Sequence, residues 1–293
     1  MPIVRLIADP QQLETRLDTA TRELEDRGMR VAMAGLLDPA GDVLQLALPE
    51  AETGPLMQVL AEHFSPTDML VGRDDFTLPR LFVSDMDSTM IGQECIDELA
   101  DFAGIKHQVA AITERAMQGE LDFESALRER VMLLRDLSEG AILECLNTRI
   151  EPMPGARVLV QTLRANGCRT VLVTGGFHQF ADPVAEWLGF DRVVGNRLAI
   201  EGGALTGGLV GPVTDSAVKR ATLESELAEL GEGAVSLATG DGANDVPMLI
   251  AADYGVAYHA KQAAKLAANG WIDRGDLTSV LKLLGIPESD WVA

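Results

Sequence analysis

The sequence predicts an α/β protein, with a parallel sheet that carries an inserted helical cap and is preceded by a smaller α+β module. Three observations predict this class. Apolar, strand-like runs end three times in short polar motifs rich in Asp, Thr or Gly. A long stretch with helical periodicity and no strand pattern separates the first of these runs from the second. Residues 1–75 have their own order of short strands and helices.

The first module, residues 1–75, has the predicted order β-α-β-β-α-β. Apolar residues at Leu13, Leu17, Ala20 and Leu24 have helical spacing. Strands are predicted at residues 3–7, 30–37, 43–48 and 68–72, helices at residues 11–27 and 55–64, and a turn at residues 38–42. This order is ferredoxin-like. It resembles the ACT-type modules, which bind amino acids or form dimers.

The second domain is expected to span residues 80–293, after a polar linker at residues 73–79. The helical stretch, placed at about residues 94–150, has breaks at Gly104 and Gly119. Inserted after the first strand, it forms a cap over the strand ends, where open parallel sheets bind ligands. A hairpin is predicted at residues 198–210 and the last strands at residues 255–258 and 271–272.

Composition excludes several classes of protein. The formal net charge of −21, with no basic cluster, argues against nucleic acid and anionic membrane as partners. No run approaches the ~18 apolar residues of a membrane span, so we expect a soluble, cytoplasmic protein. The three cysteines have no metal-ligand spacing and fit a reducing compartment. Cys95, close to the first motif, is expected to be a small buried residue and not a nucleophile.

Three polar motifs follow apolar runs and are predicted to converge on one site. The first is Asp85-Met86-Asp87-Ser88-Thr89, the second Thr174-Gly175-Gly176, and the third Gly240-Asp241-Gly242-Ala243-Asn244-Asp245. Each alone is typical of an ordinary turn, but all three after strands favour a functional site. Paired carboxylates, hydroxyl residues thought to open a helix, and backbone N–H donors together indicate phosphate chemistry.

A phosphate monoester is a dianion and repels an attacking carboxylate unless cations lie between them. Mg²⁺ prefers oxygen ligands and neutralises carboxylate and phosphate together, so the sequence predicts a magnesium site. Lys219, about twenty residues before Asp241 at the start of a helical pattern, is the candidate for a fixed positive charge.

In this order, the motifs resemble those of the haloacid dehalogenase (HAD) superfamily, over roughly residues 80–270. Glu94, the helical segment at residues 123–131 and the third motif resemble its phosphoserine phosphatase branch in particular. Thr174 stands where this branch commonly has serine, and the hydroxyl is kept. The resemblance implies a HAD-like Rossmann-type parallel sheet core with a helical cap.

The resemblance also implies roles for individual residues. Asp85 would be the nucleophile that forms an aspartyl-phosphate, and Asp87 the general acid and base. Mg²⁺ would be held by Asp85, the backbone carbonyl of Asp87 and Asp241, with Asn244 or Asp245 in the outer shell. The phosphoryl oxygens would be bound by Thr174, by the N–H groups of Gly175 and Gly176, and by those following Ser88. Glu94 and Arg130 would bind the ammonium and carboxylate of the substrate, with Asn244 as a further substrate contact.

These inferences predict a magnesium-dependent phosphatase that hydrolyses phosphoserine in the last step of serine biosynthesis. Two alternatives remain open at the level of sequence. The phosphoryl group could pass to another alcohol, such as homoserine, which would make the chain a phosphotransferase. The first module could instead make it a regulatory amino-acid-binding protein, against which the intact Asp85, Asp87, Lys219 and Asp241 argue. A homodimer is the expected assembly.

Overall fold

The strands of this chain form one ten-stranded sheet and a separate hairpin within the described residues of the computed structural model. Those residues are 1–7, 13–37, 42–49 and 51–293. The predicted turn at residues 38–42 lies outside them except for Asp42, as does the predicted start of the first helix at residues 11–12. No helix in the described ranges is both long enough and apolar enough to span a membrane.

The first module has the predicted ferredoxin-like arrangement. Its elements are β1 (Ile3–Ile7), α1 (Leu13–Asp26), β2 (Met33–Leu36), β3 (Val43–Ala47), α2 (Thr53–Phe64) and β4 (Asp68–Gly72). The strand order is β2-β3-β1-β4, with antiparallel neighbours. Both helices place their apolar faces in one buried cluster with the strands, to which Leu6, Leu24 and Leu60 belong.

The second part begins with β5 (Leu81–Ser84), which is followed by the predicted cap. Four helices form the cap: α3 (Cys95–Phe102), α4 (Lys106–Met117), α5 (Phe123–Leu133) and α6 (Glu139–Arg149). Gly104 and Gly119 have φ values of 73° and 80° and end helices, as their sequence positions predicted.

The core sheet resumes after the cap. Its elements are α7 (Ala156–Ala165), β6 (Arg169–Phe177), α8 (His178–Leu188), β7 (Arg192–Asn196), the hairpin β8 (Leu198–Glu201) and β9 (Ala204–Leu209), α9 (Ser216–Leu230), β10 (Ser236–Gly240), α10 (Val246–Ala251), β11 (Tyr254–Tyr258), α11 (Gln262–Ala267), β12 (Gly270–Ile272) and α12 (Thr278–Leu284). The strands β12-β11-β10-β5-β6-β7 are parallel, so the three motifs meet at one edge.

The two halves share one sheet, because β4 pairs antiparallel with β12. Leu70 lies opposite Gly270 and Met69 opposite Trp271. A Cβ atom at Gly270 would lie 2.1 Å from the Met69 carbonyl oxygen, so only glycine permits this approach. The division into residues 1–75 and 80–293 stays a prediction, but hydrogen bonding continues across the proposed boundary.

The hairpin β8–β9 is attached to the cap, which the sequence did not indicate. The Asp136 N–H donates to the Leu205 carbonyl at 2.9 Å, and the Leu205 N–H donates to the Leu137 carbonyl at 2.9 Å. The Glu139 N–H donates to the Gly203 carbonyl at 2.9 Å. These bonds connect the segment between α5 and α6 to the hairpin that follows β7.

Candidate active site

Asp85 follows the last residue of β5, in the middle of the parallel sheet. Its N–H donates to the Thr239 carbonyl of neighbouring β10 at 3.0 Å, which extends the ladder by one residue. Its carboxylate Oδ1 accepts from the Met86 N–H at 2.8 Å. The side chain is therefore fixed at the carboxyl edge, between β10 and β6.

A buried ion-pair network surrounds Asp85. The Lys219 ammonium lies 2.7 Å from Oδ1 of Asp85 and 2.7 Å from Oδ1 of Asp245. The side chains of Lys219 and Asp245 are 1% and 0% exposed. Burial alone would lower the pKa of Lys219, but the two carboxylates outweigh it and raise the pKa. Lys219 is thus a permanent positive charge beside the first carboxylate.

The carboxylates of Asp85, Asp241 and Asp245 lie close enough together to hold a cation, with oxygen atoms within 4.8 Å of one another. Burial, followed by repulsion from Asp245, raises the pKa of both Asp85 and Asp241, that of Asp241 to about 6. A surplus of buried negative charge and a set of oxygen donors fit a divalent metal ion.

The three carboxylates differ in how many of their oxygens are free. Asp245 Oδ1 binds Lys219, and its Oδ2 accepts from the N–H groups of Asp241 and Gly242 at 3.1 and 3.0 Å. In Asp85, Oδ1 receives both the Met86 N–H and the Lys219 ammonium, and Oδ2 has no donor within the described ranges. Asp85 and Asp241 are accordingly better placed as metal ligands, while Asp245 orients Lys219 and the loop.

Asp87 lies beside this network. Its Oδ1 is buried and has no hydrogen-bond partner among the described residues. Burial and the negative charge of Glu94 raise the pKa of Asp87 to about 7. A carboxyl group with this pKa is partly protonated near neutral pH and has an unpaired oxygen to offer, as proton transfer requires.

Cys95 is the buried residue that the sequence predicted. It is fully buried at the start of α3, and burial together with Asp87 raises its pKa well above the usual range. A thiol that stays protonated is a poor nucleophile.

The segment after Asp87 is a turn, and the expected helix after Ser88 is wrong. Ser88 has a φ of 55°, which the start of a right-handed helix does not allow. The N–H groups of Ser88 and Thr89 donate to the Gln93 and Met86 carbonyls, so the structure does not leave them free for phosphate. The turn instead directs the Ser88 hydroxyl to Glu94, at 2.9 Å from Oε1.

The second motif lies within β6, which continues to Phe177 rather than ending at Val173. The pairing with β7 shifts between Val173 and Phe177, so the intervening residues bulge out. The Gly176 N–H donates to the Thr174 hydroxyl oxygen at 2.8 Å. A Cβ atom at Gly176 would lie 3.2 Å from Asp87 Oδ2, so the close approach of the two motifs favours glycine.

The cap covers this edge and encloses a cavity of about 170 Å³. Arg130 of α5 lines it, and within the described ranges no carboxylate lies within ion-pair distance of its guanidinium. Its neighbour on the helix, Arg128, is exposed and forms an ion pair with Glu124 at 2.6 Å. Among the residues that the structure describes, Arg130 is therefore a cap cation that faces the cavity without a carboxylate partner.

Most of the predicted site residues line the cavity. Lys219, Asp245 and the segment after Ser88 do not, although the Lys219 ammonium contacts Asp85, which does. The lining residues are Asp85, Asp87, Glu94, Ile96, Phe123, Leu127, Arg130, Thr174, Gly175, Gly176, Phe177, Asp241, Asn244 and Lys261. The sequence analysis did not identify Lys261, whose ammonium lies 3.9 Å from Asp241 Oδ2. Its position just after β11, at the carboxyl end of a parallel strand, was the available signal.

The chain is similar to known hydrolases and phosphatases. Residues 82–249 match the family model of the haloacid dehalogenase-like hydrolases. A phosphoserine phosphatase from Albidiferax ferrireducens is 45% identical over 210 residues, 70% of this chain and 89% of that protein. The crystal structure of a probable phosphoserine phosphatase from Vibrio cholerae has a TM-score of 0.76 at 32% identity, covering 99% of this chain and 88% of that one. A structure of a phospho-aspartyl intermediate analogue of phosphoserine phosphatase has a TM-score of 0.64 at 36% identity, and the match covers 70% of this chain and 99% of that one.

Proposed function

We propose, from the premise that this chain belongs to the haloacid dehalogenase-like hydrolases, that it hydrolyses O-phosphoserine to serine and phosphate. The observation that carries the proposal is the pair of carboxylates at the end of β5, with Asp85 bound to a buried lysine and Asp87 at a raised pKa. The relatives named phosphoserine phosphatase support this substrate.

Asp85 is the nucleophile in the proposed mechanism. Its carboxylate oxygen bonds to phosphorus while the bond from phosphorus to the serine Oγ breaks, which gives an aspartyl-phosphate. Asp87, protonated, gives its proton to the leaving serine oxygen. In the second half, Asp87 takes a proton from the water that attacks phosphorus, and the Asp85 carboxylate leaves.

Mg²⁺ fits the carboxylate cluster, and we assign it to Asp85, Asp241 and the backbone carbonyl of Asp87. A bound magnesium ion would supply positive charge that offsets repulsion between the phosphate dianion and the nucleophile. The protein itself supplies the charge of Lys219, the Gly175 N–H and the Thr174 hydroxyl for the phosphoryl oxygens. The Gly176 N–H, which the sequence analysis also assigned to phosphate, donates to the Thr174 hydroxyl oxygen and so orients that hydroxyl. Asp245 keeps Lys219 in place by its 2.7 Å contact.

Selectivity for phosphoserine is assigned to the cap side of the cavity. Arg130 would bind the substrate carboxylate in a forked pair, and Glu94 the ammonium group. A cavity of about 170 Å³ is small and suits one amino-acid phosphate. We further propose that the reaction is the last step of serine biosynthesis in the cytoplasm, with which the free, buried state of all three cysteines is compatible.

The test is phosphate release from a panel of phosphoserine, phosphothreonine, phosphoethanolamine and sugar phosphates, with Mg²⁺ and with a chelator. We expect phosphoserine to have the highest kcat/KM and the chelator to abolish turnover. A preferred sugar phosphate would refute the substrate assignment. Added homoserine tests the transferase alternative, since phosphohomoserine formed in place of free phosphate would favour that reaction.

A further inference from the structure

We propose that Asn196, which no motif includes, is a positioning residue for the phosphoryl group. It ties the Thr174–Gly176 bulge to the chain segment that leads into the helix of Lys219. The inference rests on the proposed function, because it assigns phosphate binding to these two elements. Asn196 is the last residue of β7, is 2% exposed, and does not line the cavity.

The bulge creates a need for a side-chain partner. Three residues of β6 lie between Val173 and Phe177, while only one residue of β7 lies between Val194 and Asn196. The ladder therefore cannot serve every backbone group in between. The Asn196 Nδ2 group donates to the Gly175 carbonyl at 2.8 Å and takes the place of a strand partner.

This bond sets the direction of the N–H group that orients Thr174, a predicted phosphate ligand. The Gly175 carbonyl and the Gly176 N–H belong to one peptide plane and point in opposite directions across a trans peptide bond. Because Asn196 holds the carbonyl on the side of β7, the Gly176 N–H points away from β7. It points to the Thr174 hydroxyl, 2.8 Å away, on the side of the cavity that both residues line.

The Asn196 carboxamide also binds the segment just before α9, the helix that contains Lys219. Asn196 Oδ1 accepts from the Thr214 N–H at 2.8 Å, and Nδ2 also donates to the Thr214 carbonyl at 3.4 Å. The next residue, Asp215, caps α9 by accepting from the Val218 N–H at 2.9 Å, and its carbonyl accepts from the Lys219 N–H at 3.0 Å. One side chain thus connects the bulge that carries Thr174 and Gly175 to the helix that carries the Lys219 ammonium.

Asparagine suits this position because its carboxamide donates twice and accepts once in one plane. An ionised aspartate has the same shape but only acceptors. It would keep the bond from the Thr214 N–H and bring a negative oxygen against the Gly175 and Thr214 carbonyls. Asn196→Asp is therefore the sharpest variant, with Asn147→Asp, on the exposed face of cap helix α6, as its matched control.

The experiment measures the affinity for inorganic phosphate with Mg²⁺ by calorimetry, beside KM and kcat for phosphoserine. In Asn196→Asp we expect phosphate affinity to fall about ten- to hundredfold, as for loss of one hydrogen bond to a charged group. KM should rise with it, and the Mg²⁺ concentration for half-maximal activity should stay unchanged, since Asn196 does not touch the carboxylate cluster. Asn147→Asp should match the parent.

A lower melting temperature with unchanged phosphate affinity would overturn the proposal, because Asn196 would then stabilise the fold without positioning any phosphate ligand. If Asn196→Asp does not fold, Asn196→Ser keeps one donor but cannot reach both segments, and the same affinity loss is expected. Failure of both variants to fold would also overturn it. Phosphate binding needs no turnover, so a wrong substrate assignment would show in the substrate panel and leave this measurement valid.

Discussion

The ammonium of Lys219 lies 2.7 Å from the carboxylate of Asp85, and both side chains are almost wholly buried. The lysine comes from α9 and the aspartate from the end of β5, so only the fold brings them together. Because burial and Asp245 raise the pKa of Asp85, Lys219 is the group that favours its ionised form.

Replacing Lys219 should stop the reaction. In Lys219→Gln we expect at least a hundredfold loss of kcat and a loss of about 3–5 kcal/mol in the free energy of unfolding, since a buried charge loses its partner. Kinetics and urea unfolding measure the two effects. The control is Lys106→Gln, whose side chain is 56% exposed. Near-parent activity of the folded Lys219 variant would show that another cation serves Asp85.

Asp85→Asn should fold but form no covalent intermediate, because an amide is not a nucleophile toward phosphorus. The measurement is acid-stable trapping of labelled phosphate on the chain, with turnover beside it. The parent protein should trap label at Asp85, and the variant should trap none. Appreciable turnover by the variant, once deamidation is excluded by mass spectrometry, would contradict the assignment of the nucleophile.

Asp87→Asn should retain Mg²⁺ but lose roughly 10²–10⁴-fold in rate, as for loss of a general acid. Steady-state kinetics at saturating Mg²⁺ measures this loss. A near-normal rate would mean that another group donates the proton.

The same variant tests the raised pKa of Asp87, about 7 against the usual 3.8. Between these pH values the native state holds a proton that the unfolded chain has released. The stability of the parent due to Asp87 therefore falls as pH rises from about 4 to about 7 and is constant above. Asp87→Asn is neutral throughout, so its free energy of unfolding, measured in urea with a chelator, should gain on the parent through this window. A gap that does not change with pH would contradict the shift.

Arg130→Ala should raise KM for phosphoserine strongly, because a planar guanidinium that binds a carboxylate in a closed site is hard to replace. Its effect on phosphoethanolamine, which lacks the carboxylate, should be small. Arg128→Ala, two residues away on the same helix but exposed, is the matched control and should change neither. Equal losses on both substrates would show that Arg130 does not bind the carboxylate.

Deleting residues 1–75 should leave an active but less stable protein. All residues that line the cavity lie beyond Leu81, but the deletion removes β4, one of the two strands that pair with β12. Asp68 is lost as well; it is 1% exposed and accepts from the N–H groups of Asp273, Arg274 and Gly275. We expect kcat within a few-fold of the parent and a lower melting temperature. A folded truncation without activity would show that the first module completes the site.

Asp68→Asn in the full chain tests the hydrogen bonds of Asp68 to residues 273–275 separately from the rest of the first module. One acceptor oxygen is replaced by an NH₂ group that faces other donors. We therefore expect a loss of about 1–3 kcal/mol in the free energy of unfolding, measured by urea unfolding, with activity retained.

Much of the fold and of the site could be predicted from sequence, because local patterns encode them. Apolar periodicity predicted the strands and cap helices, and the polar motifs that follow the apolar runs identified Asp85, Thr174 and Asp241. Residue type further predicted which chemistry these groups perform. Such signals depend on residues close together in the chain, and the helical pattern that includes Lys219 is another of them.

Other features were decided only by the tertiary structure. The turn at Ser88 replaced an expected helix because the chain after Asp87 bonds to Gln93. The pairing of β4 with β12, the attachment of the hairpin to the cap, and the bonds from Asn196 to Gly175 and Thr214 join segments distant in sequence. No local pattern carries these contacts, since each depends on a register and a side-chain direction that exist only once the sheet has formed.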